Sequence, residues 1–236
     1  MVMRSSSFIT ASSQYENILI SESYDIDRKK IKQISPGIDR EIFVLDENLK
    51  RENILLSIGR IQEQKRQLDV LKFLDSFRKV DTNFYCYFVG GPSGKLGDDY
   101  LIQLKDTVKE FNLESHVEFL GNLTQLKIKE LMNRSKLLIH TSHFETFGLV
   151  AIEANSMGVP VLTTNQGSLS ELIENNVNGY LTEELVSSQV NNFVQNLLHD
   201  DKQFHKFQMN CHEKSKKFDW KNTAKELENL YKSALI

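Results

Sequence analysis

From residue 51 onward the chain alternates short apolar runs with helical apolar patterns, and this alternation constrains the fold more than any other feature. Asn53 to Ile58 (NILLSI), Phe84 to Val89 (FYCYFV), Val117 to Leu120, Lys136 to His140 (KLLIH) and Val159 to Thr163 (VPVLT) have strand length and strand composition. Asn178-Gly179-Tyr180-Leu181 turns into a sixth strand. Between these runs, Gln67 to Val80 carries Val70, Leu71, Leu74 and Phe77 at helical spacing, and Asp98 to Phe111 carries Leu101, Leu104, Val108 and Phe111. Thr124 can cap a helix with Leu126, Ile128 and Leu131, and Gly148 to Met157 and Ser168 to Glu174 read as two more. Val186 to Ile236 is helical in pattern throughout. Parallel strands need a right-handed crossover between them, and helices supply it. The expectation is a doubly wound, Rossmann-like α/β domain with a parallel sheet of about six strands and C-terminal helices. Ser7 to Phe43 differs. Phe8-Ile9-Thr10-Ala11 reads as a short strand, a helix follows, and Ile31 to Ile34 is a strand before Pro36-Gly37, as at the edge of another α/β unit.

Composition removes several function classes. The chain has 236 residues, with 29 Lys and Arg against 32 Asp and Glu, a net charge of −3, so no long-range pull toward nucleic acid is expected. Two cysteines, Cys86 and Cys211, cannot build a disulfide framework or a four-cysteine zinc site. No apolar run approaches a membrane span, and Met1 to Ser13 lacks the apolar core of a secretory leader, so a cytoplasmic protein is expected.

In a sheet of this kind the first and fourth strands lie side by side, and ligands bind beyond their carboxyl ends. The loops there would be Gly59-Arg60-Ile61-Gln62-Glu63-Gln64-Lys65 and Thr141-Ser142-His143-Phe144-Glu145-Thr146-Phe147. The first loop has no G-x-G-x-x-G, which argues against a nicotinamide dinucleotide. Arg60 and Lys65, together with the free N–H groups of a helix starting at Gly148, suit a diphosphate. A solvated surface pair is the plain alternative for the two cations. Glu145 and Glu153 are eight residues apart, a little over two helical turns, and could accept hydrogen bonds from sugar or ribose hydroxyls. A helix-dipole partner and an amphipathic-face charge are the alternatives.

Arg60-x4-Lys65 after a strand, followed by Glu145-Thr-Phe-Gly-Leu-Val-Ala-Ile-Glu153-Ala, resembles glycosyltransferase family 4. Ser35-Pro36-Gly37-Ile38-Asp39 with Phe43 is similar to that family's interdomain element. Val117 to Gly121, Ala154 to Val161, Gly167 to Glu171 and Asn178 to Leu181 are similar to further family motifs in the same order. The resemblance runs from about Ser7 to about Tyr231. It implies a retaining enzyme of the GT-B fold, in which two Rossmann-like domains face a cleft, and of which this chain would be one half. Residues 1–43 would be the remnant of an N-terminal acceptor domain with its linker, and 44–236 the nucleotide-sugar donor-binding domain.

The resemblance also implies roles. Arg60 and Lys65 would stabilise the nucleotide diphosphate as it leaves, and Glu145 would contact the donor sugar, making these three the catalytic residues. Phe147, Gly148 and Leu149 would offer backbone N–H groups, Glu153 would bind the ribose, Gly121, Asn122 and Leu123 would read the base, and His143 would touch the donor side. No metal or other cofactor is implied, and a UDP-sugar is the first choice of donor. Two positions depart from the family: Lys65-Arg66 stands where Lys-Gly is usual, and Gln166-Gly167 where two glycines are usual. Family members are about twice this length. The alternatives to a hexosyltransferase making a glycan, glycolipid or glycoprotein are a non-catalytic nucleotide-sugar-binding subunit that needs an acceptor-domain partner, and a UDP-sugar epimerase.

Other segments read more plainly. Gly90-Gly91-Pro92-Ser93-Gly94-Lys95 fails the phosphate-loop spacing and is expected to be a flexible loop. His140-x2-His143 lacks a third metal ligand nearby. Lys127, Lys129, Arg134 and Lys136 are expected to form a solvated basic helix patch, with peripheral membrane contact as the lesser reading. Cys86 is expected to be buried and inert. Phe204, Phe207, Phe218, Trp220, Leu227, Leu230 and Tyr231 are expected to pack, leaving an apolar patch near Trp220 to Tyr231 for a second polypeptide or for self-association.

Overall fold

The computed structural model describes residues 5–234. Met1 to Arg4, part of the stretch read as lacking a leader, and Leu235 and Ile236, the end of the helical tail, lie outside the described residues. Six strands form one parallel sheet: β3 (Ile54–Ile58), β4 (Tyr85–Val89), β5 (Val117–Gly121), β6 (Leu137–His140), β7 (Val161–Thr164) and β8 (Gly179–Thr182). Their order across the sheet is β5-β4-β3-β6-β7-β8. The first and fourth strands of the domain, β3 and β6, are therefore neighbours, with Leu55 opposite Leu137 and Leu56 opposite Leu138. The sheet reverses its order there, which opens a crevice beyond the strand ends.

Every residue of β3, β6 and β7 is buried, as expected of parallel strands covered on both faces. Alternation along the strands divides the core in two. Leu55, Leu137 and Ile139 join Phe73, Phe77 and Phe88 on one face. Leu56 and Leu138 join Met132, Phe147, Ala154 and Met157 on the other. The crossovers are α2 (Gln67–Arg78), α3 (Gly94–Glu110), α4 (Gln125–Arg134), α5 (Leu149–Ser156) and the single turn α6 (Leu169–Leu172). Three helices close the chain: α7 (Ser188–His199), α8 (Asp201–Ser215) and α9 (Trp220–Ala234). None of the described helices is long and apolar enough to cross a membrane.

Ahead of the sheet, β1 (Ile9–Ala11) and β2 (Ile31–Gln33) pair in parallel around α1 (Gln14–Tyr24). This unit has its own small core of Ala11, Ile26 and Ile31. Ile38 and Phe43 pack into the larger domain's core, and Ile38 N donates to Phe218 O at 3.2 Å. Thr223 Oγ1 of α9 donates to Ser35 O at 2.8 Å.

Two expectations are corrected. The glycine-rich segment after β4 is a loop only from Gly90 to Ser93. Helix α3 already begins at Gly94, and Gly97 lies so near the first site loop that a Cβ would come 2.8 Å from Ile61 O. Lys136 does not share a solvated helix patch: it enters β6 buried, donates from Nζ to Leu198 O at 2.7 Å and lies over the Phe204 ring. Its long apolar stem makes that burial tolerable. Arg134 is exposed but engaged by both oxygens of Glu52. In the tail, Phe204, Phe207 and Phe218 are buried, while Trp220 and Tyr231 are 52% and 67% exposed. Cys86 is fully buried, and burial pushes its thiol pKa well up.

Arg51 is a buried cation that fixes two crossover helices. Its guanidinium donates to Met132 O and, at 2.7 Å, to Met157 O, at the C-terminal ends of α4 and α5. Burial lowers its pKa to about 10, partly offset by Asp46.

Candidate functional site

The loops after β3 and β6 meet and are joined by hydrogen bonds. His143 N donates to Gln64 O at 2.9 Å, and Thr141 Oγ1 donates to Lys65 O at 2.8 Å. Lys65 closes a short 3₁₀ turn, Glu63–Lys65, and its Nζ lies 2.9 Å from Glu145 Oε2. His140, the last residue of β6, places Nε2 3.1 Å from the same oxygen. Burial tends to raise the Glu145 carboxyl, but the hydrogen bonds from His140 and Lys65 outweigh it and hold the group at about 2. An ionised carboxylate can only accept, so His140 Nε2 carries the proton.

The backbone of Glu145 is fixed from the β7 side. Its carbonyl accepts from Ser168 N at 2.9 Å and from Ser168 Oγ at 3.0 Å. His140 is the participant that sequence reasoning missed. It reads as the end of an apolar strand, and in a pair with His143 it suggested only a weak metal motif. His143 instead has an exposed side chain, and its backbone joins the loops. Among the described residues no three His, Cys, Asp or Glu side chains converge to hold a metal ion.

Arg60 is exposed, and among the described residues its side chain has no ion-pair partner. Its carbonyl accepts from Gln67 Nε2 at 2.9 Å. Arg66 has left-handed backbone, φ +54°, which explains why a glycine suits that position in the resemblance. Its charge turns back onto α2, with Nε 2.8 Å from Asp69 Oδ2, and pairs there.

Helix α5 begins without a side-chain cap at Gly148. The N–H groups of Phe147 and Gly148 hydrogen-bond to no other described residue, which leaves the positive end of α5 open. The Phe147 ring is buried edge-on against Phe218, and Leu149 is 42% exposed. Gly148 also meets a packing need. Its φ is +92°, and a Cβ would come 2.8 Å from Leu169 Cδ2, so α6 occupies that space. Glu145 lies in the loop ahead of α5 and Glu153 about one turn inside it, so the two carboxylates are not stacked two helical turns apart as expected. Glu153 is largely buried, and its carboxyl has no cation or hydrogen-bond partner among the described residues. Burial pushes its pKa up to about 7.

At the end of β5, Gly121 has φ +65° and open space where a Cβ would be. Asn122 Oδ1 accepts from Gly91 N at 2.7 Å, tying the β5 loop to the β4 loop, and Leu123 is half-buried against the second core. The structure thus brings Lys65, Glu145 and His140 together, and it seats the α5 start and the Gly121–Leu123 loop at the ends of the same sheet.

These features define a doubly wound α/β domain with a polar, cation-bearing crevice at the point where strand order reverses. Residues 39–218 match the family described as Glycosyl transferases group 1, and the chain belongs to that family.

A D-inositol 3-phosphate glycosyltransferase of Corynebacterium urealyticum is 27% identical over 228 residues, covering 91% of this chain and 54% of that protein. An uncharacterised glycosyltransferase of Methanocaldococcus jannaschii is 27% identical, covering 83% of this chain and 51% of that one. The chain spans about half the length of the curated relatives it matches. Among solved structures, Anabaena Alr3699/HepE in complex with UDP and glucose superposes with a TM-score of 0.87 at 23% identity, over 98% of this chain and 64% of that one. Sucrose-phosphate synthase of Thermosynechococcus elongatus gives 0.84 at 22% identity, over 99% and 60%. The fold is that of one half of a GT-B glycosyltransferase.

Proposed function

We propose that this chain is the donor-binding half of a retaining glycosyltransferase that takes a sugar from a nucleotide-sugar, with a UDP-sugar as donor. The observation that carries the reading is the Lys65–Glu145 contact, 2.9 Å long and spanning eighty positions, at the switch point beside the open start of α5. The Anabaena HepE structure, which holds UDP and glucose, supports the donor class.

Each group has a task in this reading. Lys65 and Arg60 meet the diphosphate and stabilise the charge that grows on it as the glycosidic C–O bond breaks. A fixed donor of this kind contributes about 3–4 kcal/mol. The N–H groups of Phe147, Gly148 and Leu149 add the helix dipole to the same phosphates or hold the sugar. Glu145, kept ionised, accepts from sugar hydroxyls, and His143 lines the donor side. Glu153 accepts from the ribose, and Gly121, Asn122 and Leu123 contact the base through their backbone. The acceptor hydroxyl attacks on the face from which the diphosphate departs and gives its proton to a phosphate oxygen, so configuration is retained without a protein nucleophile. The two cations stand where a metal would otherwise act. Acceptor recognition comes from sequence beyond this domain or from a partner polypeptide.

Calorimetric titration with UDP, GDP and ADP tests the reading. Saturable binding of UDP, tighter than GDP and ADP, is expected. No binding of any of the three overturns it.

A further inference from the structure

Glu145 Oε2 accepts from two donors at once, Lys65 Nζ at 2.9 Å and His140 Nε2 at 3.1 Å, while Oε1 hydrogen-bonds to no described residue. The two donors differ mechanically. Lys65 hangs from a loop turn on a flexible stem and is 19% exposed. His140 ends a central strand, is 4% exposed, and is held in register opposite Thr163 of β7. A diphosphate entering beside α5 draws Lys65 toward it, and a partly buried carboxylate then loses its cation. Left with no donor, that carboxylate would oppose the departure of Lys65, because an unpaired buried charge is costly.

Resting on the donor-site reading above, we propose that His140 is a positioning residue that holds the Glu145 carboxylate in place while Lys65 passes from Glu145 to the donor diphosphate. The strand fixes the imidazole, so Oε2 stays anchored in both states. Oε1, which hydrogen-bonds to no described residue, stays available to a sugar hydroxyl. Lys65 is thereby shared and not locked, and the site binds a diphosphate without first stranding a charge.

The test is UDP affinity across a cycle of variants in the full chain, each checked for folding by its thermal transition. His140→Phe removes the donor and leaves Lys65 as the sole partner of Glu145, so UDP binding is expected to weaken about tenfold. His140→Gln places a donor near the position of Nε2 and is expected to return affinity to within about threefold. In a Glu145→Gln background there is no carboxylate to hold, and His140→Phe is expected to change UDP affinity less than about twofold. If His140→Phe does not fold, the comparison of His140→Gln with His140→Leu carries the same expectation.

Unchanged UDP affinity in His140→Phe, or the full loss persisting in the Glu145→Gln background, overturns the hand-over and leaves the donor site standing. A wild-type chain that binds neither UDP, GDP nor ADP overturns the donor-site reading, and the hand-over with it.

Discussion

Gly167 lies against the backbone of Glu145: a Cβ at residue 167 would come 2.5 Å from the Glu145 carbonyl oxygen, in a residue whose φ is +63°. The same carbonyl is held by Ser168 N and Oγ. The loop after β7 therefore sets the height of the Glu145 loop, and no side chain fits between them. Gly167→Ala is expected to lose about 1–3 kcal/mol of stability through left-handed backbone strain and displacement of that carbonyl. Denaturant unfolding checks this, and a stability within about 0.5 kcal/mol of wild type would contradict it.

Glu153 and Glu145 make pH-dependent contributions of opposite sign. Burial raises the Glu153 carboxyl from 4.5 to about 7, so between those values the unfolded chain ionises it and the folded chain does not. Its contribution to stability falls as pH rises through this window, by about 3 kcal/mol in all. The Glu145 carboxyl is held at about 2, so it stabilises the fold above 4.5, and that contribution is lost as pH falls toward 2. Glu153→Gln is expected to flatten the stability profile between 4.5 and 7 and to be more stable than wild type above it. Unfolding free energies measured across that range decide the matter, and an equal decline in both proteins would refute the assignment.

Arg51 joins the C-terminal ends of α4 and α5, the helices whose other ends face the crevice. Arg51→Met fills similar volume but removes the guanidinium from the Met157 carbonyl and leaves the Met132 carbonyl with Ser135 N alone. A loss of about 3 kcal/mol is expected in thermal or denaturant unfolding. A neutral substitution would show that water replaces the guanidinium.

Glu171 caps α1 from another part of the fold, with Oε2 accepting from Gln14 N at 2.9 Å and Oε1 from Tyr15 N at 2.7 Å. Ser13 Oγ donates to Thr146 O at 2.6 Å, beside Glu145. Glu171→Ala is expected to cost up to about 1 kcal/mol, because the carboxylate is exposed, and to speed amide exchange at Gln14 and Tyr15. Exchange in β3 and β6 should not change. Unaltered rates at Gln14 and Tyr15 would show that the cap contributes nothing.

The sheet is readable because burial on both faces leaves a plain mark: Ile54–Ile58 and Leu137–His140 are almost wholly apolar, without the alternation of a half-exposed strand. The meeting of the β3 and β6 loops followed from strand order alone, and the Lys65–Glu145 contact is its local expression. His140 was not readable as a partner of Glu145. Whether a strand-terminal histidine meets a carboxylate five residues later depends on how the intervening loop doubles back, and here Thr141 and His143 pin that loop to Lys65 and Gln64. The constraint on Gly148 comes from Leu169 across the domain, which no local pattern shows. Lys136 looked like surface because charge alone does not reveal a buried stem ending at the Leu198 carbonyl.

The donor site is tested most directly by the UDP affinity of Lys65→Ala against wild type, measured by calorimetry on the full chain. Lys65 is the cation that the fold delivers to Glu145, and its loss is expected to weaken UDP binding roughly tenfold to a hundredfold while the thermal transition moves little. Equal UDP affinity in the two proteins would contradict the placement of the diphosphate at this crevice.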